Sequence, residues 1–420
     1  MCAEYVYPRP PPQPGQQGDR DMRQQPELRS VSQHQRIVAD LIRRRAPVVA
    51  GLASAFGRVL ADDVTAPIPL PLFDNSAMDG YAVRAVDVVR VPTQLPVVED
   101  IPAGRGEGLV LTPGTAHRVM TGAPMPAGAD AVIPMESTDG GTAVVRIHDG
   151  ATAGNFVRCA GVDVRKGDVI LRAGTVLGAP QIGLLAAVGM TTVGVVPPLR
   201  VAVLSTGTEL VRPGQPLRSG QIYDSNSIML ATALRGAGAH ADTVHFVSDD
   251  VAQFNATFAQ LGDYDLVLTS GGVSAGAYEV VKDALSGHGV EFAKVAMQPG
   301  MPQGAGSYEG IPVVALPGNP VSSLVSFEVF VRPAVRTAMG YRKALRDRVT
   351  VRLAEPLDAP PEKRQFRRGS LDLPSGTVSL AGPAGSHFLG SLAGADCLID
   401  VPEDATRMEA GATVSAWLLD

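Results

Sequence analysis

Three turns in this 420-residue chain combine glycine, serine and acidic side chains directly after apolar, strand-like runs. STGTEL (205–210) follows Arg200–Leu204 and carries Glu209. TSGGVSAG (269–276) follows Asp265–Leu268. PGNPVSS (317–323) follows Val313–Leu316 and opens a helix-like stretch. Glycine lets backbone N–H groups approach an anion, and a following helix N-terminus adds partial positive charge. Such turns suit a phosphorylated ligand, for which Gly271, Gly272, Ser274 and Gly276 form the proposed cradle. A carboxylate such as Glu209 repels phosphate unless a cation bridges the two. Mg²⁺, held by one or two carboxylates plus ligand oxygens, meets that need.

The elements that must position these turns alternate between strand and helix from about residue 199. Strand-like runs at Arg200–Leu204, Ala241–Val247, Asp265–Leu268 and Val313–Leu316 are interleaved with helix-like runs. The helices are expected at Ser225–Gly236, Val251–Leu261, Tyr278–Ser286 and Ser322–Met339. This predicts a parallel sheet covered on both faces, with the special turns at strand C-termini, where open α/β sheets bind ligands. Before it, residues 1–26 read as a disordered tail. Residues 27–65 with 164–198 read as a linker domain, with helices at Ser30–Arg45 and near Leu52–Leu60 and a third at Pro180–Val188. Residues 66–163 read as a small β domain, 199–337 as the α/β domain and 338–420 as a C-terminal β domain. The fold class is thus multidomain α/β plus β.

Composition narrows the ligand class. The chain has 19% charged residues, a net charge of -6 and no basic stripe interleaved with aromatics, which argues against nucleic acid. Its three cysteines, Cys2, Cys159 and Cys397, show no paired or zinc-type spacing. The longest apolar stretch, Ile182–Val196, is too short for a bilayer. A cytoplasmic protein without a membrane partner is expected.

The motifs together resemble one family. GRVLADDVTAP (57–67), FDNSAMDGYAVR (73–84), VMTGAPMPAGADAVIPME (119–136), VRCAGVDVRKGD (157–168), STGTEL, GQIYDSN (220–226), TSGGVSAG, LPGNPVSS, FRRG (366–369) and GSHFLGSLAGAD (385–396) stand in the order of the MoeA family of molybdopterin molybdenumtransferases, which includes the E domain of gephyrin. The resemblance implies an elongated protomer in a homodimer and an α/β domain shared with molybdopterin adenylyltransferases. It implies adenylylated molybdopterin and molybdate as substrates, a divalent cation such as Mg²⁺, and molybdenum cofactor and AMP as products. An adenylyltransferase that supplies the substrate is the implied upstream partner.

The resemblance also implies residue roles. Glu209 and Asp249 become acidic site residues and, with Glu279, cation ligands. Asp79 and Asp163 belong to the other arm, reaching the α/β domain of a partner subunit. Thr121, Arg158, Thr206, Gly207, Asp224, Asn226, Ser270, Pro317, Gly318, Asn319, Pro320, Arg368 and Ser386 join the substrate-binding set, with Arg367 beside it. Ordinary local chemistry competes at several positions: an N-cap before Val251 for Asp249 and Asp250, turn chemistry for Asp224, Asn226 and Asp79, and a solvated basic corner for Arg367 and Arg368.

Two segments depart from the family pattern. QPGMP (298–302) stands where KPGKP is common, so Gln298 and Met301 replace two lysines, and Lys294 is the nearby candidate to compensate. Glu279 stands where Asp is usual. A non-catalytic pterin-binding scaffold and a molybdopterin adenylyltransferase are the rival functions.

Overall fold

A computed structural model of the chain describes residues 28–105, 108–246, 250–273 and 280–419. Its site-bearing domain is a six-stranded sheet. The order is His240–Phe246, Arg200–Thr206, Leu266–Ser270, Ile311–Leu316, Pro302–Tyr308 and Val290–Lys294. The first four strands run parallel, and the last two are antiparallel additions. The expected parallel core is thus present, and an antiparallel pair extends it at one edge. The cause is a tight hairpin in which Tyr308 pairs with Ile311 and both turn residues have positive φ, Glu309 at 49° and Gly310 at 81°. Those angles match the twist of the flanking strands, and Glu-Gly is a muted form of the usual Asn-Gly signal.

Side chains alternate across the central strands. Val201, Val203, Leu266, Leu268, Val314 and Leu316 face one layer, with the helix Asn226–Gly236 and the composite helix that runs from Pro320 to Ala338. Ala202, Leu204, Val267, Val313 and Ala315 face the other, with Val251–Phe258 and Val280–Leu285. Burial on both faces explains the near-continuous apolar text of these strands.

The helix Val31–Leu41 also packs on the first layer, through Val31, Val38 and Ile42. It is closed by a capping box, in which Ser30 Oγ accepts from Gln33 N at 3.1 Å and Gln33 Oε1 accepts from Ser30 N at 2.9 Å. Residues 28–65 are thus divided between two cores. Val48–Gly51 and Val59–Leu60 flank Thr192–Val196 in a small sheet beside the helix Ala179–Ala187. The helix expected near Leu52–Leu60 is one 3-10 turn, Leu52–Ser54, because Gly57 takes a φ of 74° and the chain then enters a strand.

Residues 75–147 hold a five-stranded sheet in the order Ala131–Pro134, Gly80–Val83, Ala116–Val119, Thr93–Ile101 and Val144–Ile147. In the C-terminal region Arg364–Asp372, Thr377–Leu380, Arg348–Leu353, Thr413–Leu418 and Cys397–Val401 pair in turn. Cys397–Val401 then pairs back onto Arg364–Asp372, so the sheet closes on itself. A short parallel pairing of Met297–Gln298 with Arg364–Gln365 ties this ring to the α/β domain. Among the described residues no helix is long and apolar enough to cross a membrane.

Candidate active site at the strand ends

Register brings the three turns to one level. Ser205 pairs with Ser270, and Ser270 pairs with Leu316, so the chain leaves three neighbouring strands side by side. A Cβ on Gly271, whose φ is 95°, would stand 3.2 Å from the Thr206 carbonyl, and one on Gly318 would stand 3.5 Å from Gly271 Cα. The turns therefore touch through backbone, which only residues without side chains permit.

Over them lies an open cavity of about 1060 Å³. Of the expected residues it is lined by Thr206, Gly207, Glu209, Asp224, Asn226, Ser270, Gly271, Gly272, Pro317, Gly318, Asn319, Pro320 and Ser386. Among the described residues the amides of Gly207, Gly272, Gly318 and Asn319 donate to no protein acceptor. They are available as a preorganised set of anion donors. Asp249, Ser274, Gly276 and Glu279 lie outside the described residues.

Asn226 joins the turns. Its Nδ2 donates to Ser270 Oγ at 2.8 Å and to the Gly318 carbonyl at 2.7 Å, while its buried Oδ1 has no partner among the described residues. Asp224 is buried and takes a positioning role. Its Oδ1 accepts from Ser205 Oγ and from the Ser227 amide, both at 3.1 Å, and its Oδ2 lies 3.7 Å from His245 Nδ1. The local turn chemistry expected for Asp224 is therefore realised at the helix start.

Glu209 is exposed at the rim, and its carboxylate has no hydrogen bond or ion pair among the described residues. It folds over Gly207, whose φ is 152°. A Cβ there would stand 2.5 Å from Glu209 Oε2. No group of three or more metal-ligating side chains occurs among the described residues. Two of the three expected cation ligands, Asp249 and Glu279, fall outside them.

The C-terminal ring closes one side of the cavity. Asn319 Nδ2 donates to Ser386 Oγ at 2.8 Å, and the Val321 amide donates to the Ser386 carbonyl at 3.2 Å. Arg368, expected to bind substrate, is buried outside the lining. Its guanidinium holds the carbonyls of Ala381, Pro383 and Gly385, so it shapes the loop that presents Ser386. Lys294 is exposed and does not line the cavity, which corrects its expected compensating role. Lys363 does line it, and the sequence reading missed it. The signal was the basic run 363–368 ahead of the FRRG glycine.

Of the residues of the other arm, Asp79 and Thr121 are brought together within this protomer. Asp79 Oδ1 accepts from the Thr121 amide at 2.7 Å and from its hydroxyl at 2.8 Å. These bonds hold the Asp79 carboxyl below its ordinary range. Arg158 donates weakly to the Ala77 carbonyl at 3.4 Å and is not paired with Asp163. Neither Asp79, Thr121, Arg158 nor Asp163 lines the cavity of its own chain.

Three family models match in order: the MoeA N-terminal region (domains I and II) over residues 29–189, a probable molybdopterin binding domain over 202–337, and the MoeA C-terminal region (domain IV) over 350–419. The chain is 53% identical over 402 residues to molybdopterin molybdenumtransferase 2 of Mycobacterium tuberculosis, covering 93% of this chain and 99% of that one. It is 35% identical over 378 residues to the molybdopterin molybdenumtransferase of Haemophilus influenzae, covering 87% and 92%. A crystal structure of the molybdopterin biosynthesis MoeA protein from Pyrococcus horikosii superposes with a TM-score of 0.82 at 30% identity, covering 94% of this chain and all of that one. On this agreement of sequence, domain order and fold, the chain belongs to the MoeA family of molybdopterin molybdenumtransferases.

Proposed function

We propose that the protein inserts molybdate into adenylylated molybdopterin, releasing AMP and molybdenum cofactor. The observation that carries this reading is the convergence of three glycine turns on one cavity, where the Gly207, Gly272 and Gly318 amides and the Glu209 carboxylate have no protein partner among the described residues. The amides of Gly272 and Gly318 would hold phosphate oxygens, Asn226 would keep the turns in register, and Ser386 would close the site from the C-terminal ring.

The donor set fits a hard divalent cation. An exposed carboxylate without a partner among the described residues, beside a phosphate cradle, is the kind of ligand Mg²⁺ accepts while retaining waters. Glu209 would hold it, with Asp249 and Glu279 as further ligands. When bound, the cation neutralises charge on the pyrophosphate as its linkage is cleaved. Asp79 and Asp163 lie on the other arm, so their part in the reaction requires a homodimer in which that arm faces the partner's cavity.

The test uses the purified full chain with adenylylated molybdopterin, Mg²⁺ and molybdate. AMP release that depends on molybdate is expected, with a loss of at least about 100-fold in Glu209→Ala, in the range seen when a transition-state electrostatic partner is removed. Tight pterin binding by the wild type without AMP release would instead support the scaffold reading. ATP consumption with free molybdopterin would support adenylylation.

A further inference from the structure

The strand His240–Phe246 lies beside Arg200–Thr206, and the parallel register sets His245 opposite Ser205. Side chains alternate along a strand. Val201 and Val203 face the layer that holds the helix Asn226–Gly236, as does Ala241 on the neighbouring strand, so Ser205 and His245 fall on that same face at the strand ends. Asp224, two residues ahead of Asn226, meets both of them. Its Oδ1 accepts from Ser205 Oγ at 3.1 Å, and its Oδ2 lies 3.7 Å from His245 Nδ1.

Burial makes this contact matter. The Asp224 side chain is 4% exposed and that of His245 17%. The two donors that Asp224 holds, the Ser205 hydroxyl and the Ser227 amide, are both neutral. Among the described residues His245 is the one group that makes an ion pair with Asp224, and Asp224 the one that makes an ion pair with His245. His245 Nδ1 is itself buried and has no hydrogen-bond partner among the described residues. A buried carboxylate is costly unless an opposite charge and hydrogen bonds compensate it. The imidazole nitrogen that faces Asp224 is the group placed to supply that charge.

Asp224 in turn fixes the site. Its amide donates to the Val211 carbonyl at 2.9 Å, next to the Glu209 turn, and its carboxylate takes the Ser227 amide at 3.1 Å. Asn226 lies between these anchored residues, and its Nδ2 holds Ser270 Oγ and the Gly318 carbonyl. A displaced Asp224 therefore moves Asn226, and with it the turns that leave two neighbouring strands. His245 does not line the cavity.

We propose that His245 is a positioning residue. Its protonated imidazole is the counter-charge of buried Asp224, and through Asp224 and Asn226 it holds the glycine turns in register for the pterin nucleotide. This rests on the insertase reading above and adds a group behind the cavity wall that makes no ligand contact of its own.

The test is kinetic, on the full chain with adenylylated molybdopterin, Mg²⁺ and saturating molybdate, with urea unfolding to show that each variant is folded. His245→Gln is expected to raise KM for the nucleotide about tenfold with kcat within about threefold, the pattern of lost binding shared by ground and transition states. His245→Lys should keep KM within about threefold of wild type, because the charge is kept. In an Asp224→Asn background, His245→Gln should change KM by less than about twofold, because no buried charge remains to be balanced. An unchanged KM in His245→Gln overturns the proposal. So does an equal loss in His245→Lys, which would mark the ring and not its charge, and so does a full effect that persists in the Asp224→Asn background. A wild type that releases no AMP overturns the insertase reading and this role with it, whereas an active wild type beside a silent His245→Gln overturns this role alone.

Discussion

Asn226 has two donors in use, and an acceptor without a partner among the described residues, at the meeting point of three turns. Asn226→Ala should lower stability by about 0.5–1.5 kcal/mol, because the exposed Gly318 carbonyl and the buried Ser270 hydroxyl lose a half-buried donor. The same change should weaken pterin-nucleotide binding about tenfold or more, measured by urea unfolding and ligand titration. Away from the site, His34 is wholly buried against Phe330, and its Nδ1 lies 3.4 Å from Arg29 Nη1. Burial, helped by the Arg29 charge, pushes its pKa down from 6.5 to about 4. The unfolded chain therefore takes up a proton below about pH 6.5 that the native chain refuses. Stability from this group is full above that pH and is lost as pH falls toward 4, by up to about 3 kcal/mol. Tm should fall across that window, and His34→Gln should start lower but fall less steeply. At this scale the sequence showed Glu209, Asn226 and the glycines plainly, because turn chemistry is local. It could not show that Arg368 spends its guanidinium on a loop while Lys363 points into the cavity. That difference depends on which side of a closed ring each residue occupies.

The elements are positioned by register more than by any single bond. Three strands end at one level, and the turns that leave them are packed without side chains between them. Gly207 shows the consequence. A methyl group there would collide with the Glu209 carboxylate, a movable group, and not with the backbone. Gly207→Ala should therefore displace Glu209, cutting AMP release by about tenfold or more while costing about 1–3 kcal/mol of strain at that φ. Rate assays beside thermal melts separate the two effects. The four core strands and their helices were legible because each is an apolar run of the right length between turn signals. The Glu309–Gly310 hairpin was not, since the glycine-rich strand Pro302–Tyr308 lacks β-branched residues. The helix Val31–Leu41 was visible as a helix, but its apolar face does not say which domain it covers.

The whole molecule joins the α/β domain to a closed C-terminal ring and carries a separate β arm with Asp79, Thr121 and Asp163. These three lie away from the cavity of their own chain. In the proposed homodimer, each catalytic centre combines one chain's Glu209 with the other's Asp79. Mixing inactive Glu209→Ala and Asp79→Ala proteins under subunit exchange should then restore about one quarter of wild-type activity. Half of the randomly paired dimers are mixed, and each of these has one intact site. Zero recovery with demonstrated exchange would place both residues in the same chain's centre.

The central claim is that the strand-end cavity is where the phosphorylated pterin binds, and a crystal structure of the full chain with the pterin nucleotide tests it most directly. The account predicts phosphate oxygens within hydrogen-bond distance of the Gly272 and Gly318 amides, with Glu209 at the same edge. Nucleotide density elsewhere on the molecule, with those amides facing only solvent, would contradict it.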